Sequence, residues 1–226
     1  MIRLSNVCKR YGSAASARPA LEGIDLTIER GEFVALRGPA GCGKTTLLNI
    51  VGLLDQPSSG TYHFADRDVS RHAEHELTAL RQRGIAFIFQ SSNLIDDLDV
   101  HANVDLTLQY QNVARPHRKQ MVREVLELLG LDGRANDYPD ELTPCEQQRV
   151  AIARALVNDP CLILADEPTS NLDADYGAAL MDMIGALNRA GATVLVATES
   201  GACAAHAERI VQLKNGRVLP GELGRI

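Results

Sequence analysis

The sequence predicts an α/β fold with a parallel β-sheet, because short apolar runs alternate along the chain with helical patterns. Two of the predicted helices cover Lys44–Leu54 and Tyr176–Arg189. Runs that are apolar at nearly every position are typical of parallel strands, which are buried on both faces of their sheet. Four such runs are predicted to be strands: Phe33–Arg37, Ile85–Phe89, Leu162–Ala165 and Thr193–Ala197.

The two ends of the chain depart from this alternation. Ile2–Tyr11 and Leu21–Glu29 are predicted to be antiparallel strands joined by a loop over Gly12–Pro19. Near the other end, Asn215–Gly216 lies between two short apolar runs. This dipeptide favours a tight two-residue turn, so we expect a β-hairpin there.

The middle of the chain, Val100–Asn158, is predicted to be almost entirely helical. One helical face is expected to carry four apolar side chains: Met121, Val125, Leu128 and Leu129. A helical insertion therefore separates the strand that ends near Phe89 from the strand that begins at Leu162.

Composition and charge exclude several classes of protein. The chain has 226 residues, of which 45% are apolar and 23% are charged, which excludes a disordered chain and a collagen-like chain. No run approaches the roughly 18 apolar residues of a membrane span, and the start of the chain does not resemble a signal peptide. Its 23 basic and 29 acidic residues leave a net charge of −6, so we expect no nucleic-acid partner. Its five widely spaced cysteines contain no C-x-x-C pair, which predicts a reduced cytosolic protein.

A glycine-rich segment predicts a phosphate site. Gly38–Thr45 matches the pattern G-x-x-x-x-G-K-[ST] between a predicted strand and a predicted helix. Backbone N–H groups of such a loop surround an anion, and the helix N-terminus adds positive potential. We expect Lys44 to reach the β- and γ-phosphates and the Thr45 hydroxyl to hold Mg²⁺. The residues predicted to bind nucleotide here are Gly38, Pro39, Ala40, Gly41, Cys42, Gly43, Lys44, Thr45 and Thr46.

Cys42 has two interpretations. A thiol at a helix N-terminus can have a lowered pKa, which would suit a redox sensor. The simpler interpretation is a small side chain that fills a small space.

A second part of the site follows the strand at Leu162–Ala165. Asp166 is placed to bind Mg²⁺, and Glu167 to polarise the attacking water as a catalytic base. An apolar strand that ends in two carboxylates is weak evidence alone, but downstream of a phosphate loop it indicates a nucleotide hydrolase.

With the segments between them, these motifs resemble the ATP-binding subunit of ABC transporters over nearly the whole chain. The resemblance implies a P-loop NTPase (RecA-like) core with an antiparallel β subdomain and a helical insertion. It also implies one domain over residues 1–226, with its core at about 1–90 and 160–226 and its helical subdomain at about 91–159. Gly52–Pro57 and Leu164–Asp173 are similar to the lipoprotein-release and macrolide-export branch of the family.

The resemblance assigns further residues. Tyr11 corresponds to the aromatic that stacks on adenine, although a strand-edge aromatic is the other interpretation. Gln90 corresponds to the Q-loop glutamine, which touches Mg²⁺ and signals to the membrane subunit. Asp173 belongs to the D-loop. Glu146–Leu156 corresponds to the helix that follows the signature motif.

The sequence departs from the family at the signature motif, Leu-Ser-Gly-Gly-Gln or close to it, which binds the γ-phosphate held by the opposite subunit. Here the stretch is Leu142, Thr143, Pro144, Cys145 and Glu146. Pro144 has no N–H, Cys145 has a Cβ where close approach favours glycine, and Glu146 brings negative charge nearer the ATP. The helix should still form, with Thr143 as N-cap, Pro144 at N1 and a capping box completed by Glu146.

A second departure follows the strand at Thr193–Ala197. Where the family has a histidine that contacts the γ-phosphate, this chain has Glu199. An ionised carboxylate near a phosphate oxygen costs on the order of a few kcal/mol at an effective dielectric constant of about 20. A shifted alignment would instead offer His206, which lies well into the next helix.

The leading hypothesis is an ATP-binding subunit that couples Mg-ATP binding and hydrolysis to a permease. It would act as a homo- or heterodimer on the cytoplasmic face of the membrane, with ATP and Mg²⁺ bound between the two chains. The alternative is a nucleotide-binding regulatory subunit with little or no ATPase activity, which the two departures favour. A third hypothesis, a soluble ABC protein that acts on nucleic acid or ribosomes, fits poorly because the chain lacks a second cassette and a basic surface.

Overall fold

The computed structural model describes residues 1–12, 18–82 and 84–219, so most of the predicted loop over Gly12–Pro19 lies outside the described residues. The strands are β1 (Ile2–Tyr11), β2 (Arg18–Ile28), β3 (Phe33–Arg37), β4 (Ser59–Phe64), β5 (Arg67–Asp68), β6 (Ile85–Ile88), β7 (Leu162–Asp166), β8 (Thr193–Thr198), β9 (Arg209–Lys214) and β10 (Arg217–Val218). The helices are α1 (Lys44–Val51), α2 (Glu74–Gln82), α3 (Val100–Tyr110), α4 (Arg115–Leu128), α5 (Pro144–Leu156), α6 (Ala174–Arg189) and α7 (Gly201–Ala204). Two 3₁₀ turns, Asp132–Arg134 and Pro139–Glu141, lie between α4 and α5.

Two sheets organise the molecule. The larger has the order β10-β9-β3-β8-β7-β6, in which β9, β3, β8, β7 and β6 are parallel and β10 is antiparallel. The smaller has the order β2-β1-β4-β5 and is antiparallel. The predicted α/β fold with an antiparallel β subdomain is confirmed. Because β3, β8 and β7 are parallel neighbours, their carboxyl ends lie side by side along the same end of the larger sheet.

The larger sheet is buried on both faces, as its apolar runs predict. Successive residues of β3 alternate between two hydrophobic cores: Val34 and Leu36 face α1 and the antiparallel sheet, and Phe33 and Ala35 belong to the core formed with α3 to α7. Helices α3, α4 and α5 pack on one another, and α5 also contacts β6. The predicted helical insertion therefore lies at the β6 edge of the sheet.

One predicted core position is wrong. Leu128 was expected on the buried face of its helix, but its exposed fraction is 61%. Val122 and Leu126 are buried instead, together with Val125 and Leu129. The buried stripe follows i, i+3, i+4 and i+7 from Val122, which puts Leu128 outside it.

Strands β4 and β5 and helix α2 were not predicted from the sequence. In β4 only Tyr62 and Phe64 are buried, and the turn to β5 uses Ala65 and Asp66 with positive φ rather than a glycine. In α2 only Leu77 is buried. These elements carry too few apolar residues for a clear periodic pattern.

The predicted hairpin near the end of the chain is confirmed. Asn215 and Gly216 both have positive φ, at 49° and 74°, which matches the two-residue turn expected between β9 and β10. The N–H of Gly216 donates to the carbonyl of Cys42 at 2.9 Å, so the hairpin also supports the glycine-rich loop. None of the helices in the described ranges is long and apolar enough to span a membrane.

Candidate nucleotide-binding site

The glycine-rich loop follows the carboxyl end of β3, the strand that lies between β9 and β8 in the larger sheet. Two of its glycines are required by close contacts. A Cβ on Gly38 would lie 2.2 Å from the carbonyl oxygen of Leu213, and a Cβ on Gly43 would lie 2.7 Å from that of Ala20. Gly43 also has φ 110°, which L side chains rarely adopt. The loop therefore packs directly against backbone on two sides.

A cavity of about 300 Å³ opens beside this loop. The N-cap residue of α1 is Gly43, which has no side chain that could accept a hydrogen bond from the N–H groups of the first helical turn. These N–H groups therefore stay available to an anion. The cavity brings together residues from five separate parts of the chain. Its lining is Ala20, Ala40, Gly41, Gly43, Lys44, Thr45, Thr46, Gln90, Asp166, Glu167 and Glu199.

Lys44 is the cation of this cavity, and its side chain is 7% exposed. Its ammonium donates to the carbonyls of Gly38 at 2.8 Å and Pro39 at 3.3 Å and to Glu199 Oε1 at 3.3 Å. Glu167 Oε1 also lies 3.3 Å from Nζ. The loop thus holds Lys44 at the mouth of the cavity, between two carboxylates.

Thr45 and Asp166 are joined by a hydrogen bond of 2.7 Å from the hydroxyl to Oδ2. They come from α1 and β7, which are 121 residues apart in sequence. Hydroxyl, carboxylate and amide oxygens, the last from Gln90, are the donors that Mg²⁺ prefers. The chemistry of this set fits a magnesium ion beside the phosphates.

Glu167 is held in a specific orientation. Its Oε2 accepts from the Thr198 hydroxyl at 3.2 Å and from the N–H of Glu199 at 3.3 Å. Its Oε1 is buried and has no hydrogen-bond partner within the described part of the chain. Its φ is 45°, an uncommon value for a residue with a side chain. An oriented carboxylate with one unsatisfied oxygen is suited to accept a proton from water.

Gln90 and Tyr11 lie at the periphery of the site. The carbonyl of Gln90 accepts from the Asn171 side chain at 2.9 Å, which ties the segment after β6 to the segment after β7. The Tyr11 hydroxyl donates to Asp55 at 2.8 Å, and Lys9 Nζ lies 5.1 Å from the centre of its ring. Lys9 covers one face of that ring. The stacking of adenine on Tyr11 remains a prediction that concerns the other face.

The structure does not support Cys42 as a redox sensor. Its side chain is 4% exposed, and burial raises the pKa of the thiol, with a smaller opposing effect of Lys44. A lowered pKa was the basis of that interpretation. Cys42 instead fills space beside Gly38, whose Cβ, if present, would lie 2.6 Å from its sulfur.

The residues at the start of α5 do not line this cavity. Thr143 caps the helix and accepts from the N–H of Glu146, and Glu146 accepts from the N–H of Thr143 at 2.9 Å, which confirms the predicted capping box. Arg134 lies 3.3 Å from Glu146. Hydrogen bonds from the Thr143 backbone and side chain hold the pKa of Glu146 below its usual value.

Cys145 lines a different groove, of about 220 Å³, together with Tyr176 and Leu180 of α6. Asp173 caps α6 by accepting from the N–H of Tyr176 at 3.0 Å. Pro144, Cys145 and Asp173 are therefore separate from Lys44 within one chain.

His206 does not take the place of Glu199. Its Nδ1 is 3.1 Å from the carbonyl oxygen of Ala202, and its Nε2 is 3.7 Å from Asp182. Both contacts lie on the α6–α7 side, outside the lining of the cavity. Glu199 is the residue after β8 that enters the site.

Three residues of the site were missed from the sequence: Ala20, Asn171 and Thr198. Asn171 lies within the identified segment Leu164–Asp173, and Thr198 directly follows the predicted strand Thr193–Ala197, where a polar residue at a strand end was the available signal. No sequence signal pointed to Ala20, because it comes from β2 in the other sheet.

The fold and this cavity define the class of protein. The family model for the ABC transporter matches residues 21–170, and the chain belongs to the ABC transporter family as an ATP-binding subunit. Its sequence is 42% identical over 225 residues to the uncharacterized ABC transporter ATP-binding protein YknY of Bacillus subtilis (strain 168), covering 100% of this chain and 98% of that protein.

Two further comparisons define the relationship. Identity is 45% over 219 residues to the macrolide export ATP-binding/permease protein MacB 1 of Aeromonas hydrophila, covering 97% of this chain and 34% of that protein. The dimeric post-hydrolysis structure of the ATP-binding cassette MJ0796 bound to ADP and Pi superposes with a TM-score of 0.93 at 39% identity, covering 100% of both chains. The P-loop NTPase fold and the class of ABC ATP hydrolase follow from these matches.

Proposed function

We propose that this chain couples the binding and hydrolysis of Mg-ATP to a permease of the macrolide-export or lipoprotein-release type. The observation that carries the proposal is the cavity in which Lys44, Thr45, Asp166 and Glu167 meet. The similarity to MacB 1, which extends over 34% of that protein, supports the macrolide-export type.

The residues of the cavity have separate roles in this proposal. The backbone N–H groups of the loop and Lys44 bind the phosphates. Thr45, Asp166 and Gln90 would hold Mg²⁺, which when bound neutralises phosphate charge. Glu167 orients the attacking water and accepts its proton through Oε1, the oxygen that accepts no hydrogen bond from the described residues. Thr198 and the N–H of Glu199 keep Glu167 in place.

The complete site requires a second ATP-binding chain. Pro144 and Cys145 lie away from the cavity of their own chain, so they would face the nucleotide of a partner. Domain closure around two nucleotides would then be transmitted to a permease through the helical segment at about 91–159. Attachment to that permease would place the chain on the cytoplasmic face of the membrane.

A second candidate function is a nucleotide-binding regulatory subunit with little hydrolysis. Two observations favour it. Pro144 offers no N–H at the start of α5, and Glu199 already contacts Lys44 at 3.3 Å. The Glu167 arrangement favours the hydrolytic function, because a subunit without turnover has no use for an oriented base.

The deciding experiment measures ATP affinity and steady-state hydrolysis of the purified chain, with and without a permease. Lys44→Ala should lower ATP affinity about tenfold or more, because it removes a charge-assisted phosphate contact. Glu167→Gln should keep ATP affinity and lower turnover by about 10²- to 10⁴-fold. Lys119→Ala, which removes an exposed lysine of α4, is the matched control.

The outcomes separate the two functions. Turnover that Glu167→Gln abolishes supports the hydrolytic subunit. ATP binding that depends on Lys44, with no turnover in any variant, supports the regulatory subunit. Affinity that is the same in Lys44→Ala and Lys119→Ala contradicts both.

A further inference from the structure

Glu199 and Lys44 both line the cavity beside the glycine-rich loop, and Glu199 Oε1 lies 3.3 Å from the Lys44 ammonium. A lysine ammonium has three N–H donors. Those of Lys44 go to the carbonyls of Gly38 and Pro39 and to Glu199 Oε1. Glu167 Oε1 lies at the same 3.3 Å from Nζ yet has no hydrogen bond in the described residues. Glu199 thus takes the donor that would otherwise serve Glu167 or a phosphate.

The two carboxylates differ in how firmly they are held. Glu167 is 20% exposed and accepts two hydrogen bonds through its other oxygen. The side chain of Glu199 is 52% exposed, and its polar contact among the described residues is with Lys44. Its backbone is fixed, because Ser200 donates to the Thr198 hydroxyl and caps α7. The Glu199 side chain can therefore swing into solvent without disturbing its backbone.

We propose that Glu199 is a specificity-determining residue that competes with the third phosphate for Lys44, so that it weakens the binding of ATP more than that of ADP. The inference rests on the proposed nucleotide site and adds a self-inhibitory contact to it. The lysine of such a loop reaches the β- and γ-phosphates, whereas the loop N–H groups cradle the α- and β-phosphates, so the third phosphate depends on the lysine more than the second does. A nucleotide with a third phosphate must displace Glu199 and then remain close to its charge.

The test compares equilibrium affinities for ADP and for the β,γ-imido analogue of ATP, both with Mg²⁺. Glu199→Gln should raise affinity for the analogue about tenfold, since removal of a nearby like charge at a partly exposed site has an effect of that order. The affinity for ADP should rise less than the affinity for the analogue, because the loop N–H groups also hold the second phosphate and ADP has no third. Glu208→Gln removes the same charge from an exposed position outside the cavity and should change neither affinity.

Two results would overturn the inference: equal gains for both nucleotides in Glu199→Gln, or affinities that match those of Glu208→Gln. Thermal unfolding without nucleotide confirms that the compared variants are folded. Nucleotide binding that Lys44→Ala removes but Glu199→Gln leaves unchanged contradicts only this inference. If neither the wild-type chain nor Glu199→Gln binds nucleotide, the proposed function and the inference both fail, because there is nothing for Glu199 to compete with.

Discussion

Glu146 and Glu199 are the acidic residues at the two places where this sequence departs from the family, and their surroundings differ. The carboxylate of Glu146 is satisfied by Thr143 and lies 3.3 Å from Arg134, so its charge is compensated locally. Glu199 instead lies 3.3 Å from Lys44, the residue proposed to bind the phosphates. The loss at the start of α5 is therefore a missing N–H at Pro144, whereas the change after β8 adds a competing charge.

Asp55 gives a residue-scale prediction about pH. Burial alone would raise the pKa of this carboxyl, but hydrogen bonds from Lys9 and Tyr11 hold it below its usual value. A lowered folded-state pKa means that the unfolded chain binds more protons at acid pH. The stability due to Asp55 is therefore present above about pH 4 and is lost as the pH falls through the folded pKa.

The measurement is urea unfolding between about pH 6 and pH 2. Asp55→Asn should be less stable than wild type at pH 6 by on the order of 1 kcal/mol, because the contact is partly exposed, and this difference should shrink toward pH 2. Asp132→Asn, in an exposed 3₁₀ turn, should track the wild type. A difference for Asp55→Asn that stays constant over this range would contradict the assignment.

At the scale of elements, the end of α1 is packed too closely for a side chain at Gly52. A Cβ there would lie 2.0 Å from the ring of Phe87 and 2.7 Å from Leu164, on two neighbouring strands. Phe87 stacks on Phe89 with ring centres 5.4 Å apart, so its ring cannot yield without breaking that contact. Gly52→Ala should cost about 1–3 kcal/mol.

This cost corresponds to a fall in melting temperature of about 2–12 °C for a chain of this size. Gly133→Ala is the control, because a Cβ there meets no atom within 4 Å. It should stay within about 0.5 kcal/mol of wild type. Equal melting temperatures for the two variants would mean that the contact between α1 and β6 is looser than described.

At the scale of the whole molecule, we expect the start of α5 to limit association of two chains around ATP. In a Glu167→Gln background, Pro144→Gly with Cys145→Gly should strengthen the ATP-dependent dimer about tenfold. The reason is that the change restores one N–H at position 144 and removes the side chains of both residues, an effect on the order of 1.4 kcal/mol. Light scattering after size exclusion, with and without Mg-ATP, measures the dimer.

Pro116→Gly tests whether any proline near a helix start has this effect, since Pro116 lies in the first turn of α4. It should leave the dimer unchanged. A dimer that forms equally well with the original Pro144 and Cys145 would show that closure does not depend on the altered residues.

The elements that could be predicted from the sequence are those whose structure depends mainly on residues close together in the chain. The four apolar strands, the capping box of α5 and the turn at Asn215–Gly216 were predicted because each depends on neighbouring residues. The weakly apolar β4 and α2 were missed, and Leu128 was misplaced, because burial depends on what packs against a surface. A periodic pattern alone leaves the width of the buried face open.

The sequence by itself determined the phosphate loop, the two carboxylates after β7 and the family, since these depend on residue types at short fixed spacing. Only the tertiary structure decided that Glu199 contacts Lys44, 155 residues away, and that Glu167 Oε1 accepts no hydrogen bond from the described part of the chain. The physical reason is the sheet order. Parallel strands β3, β8 and β7 lie side by side, so groups distant in sequence converge at their carboxyl ends and compete for one ammonium.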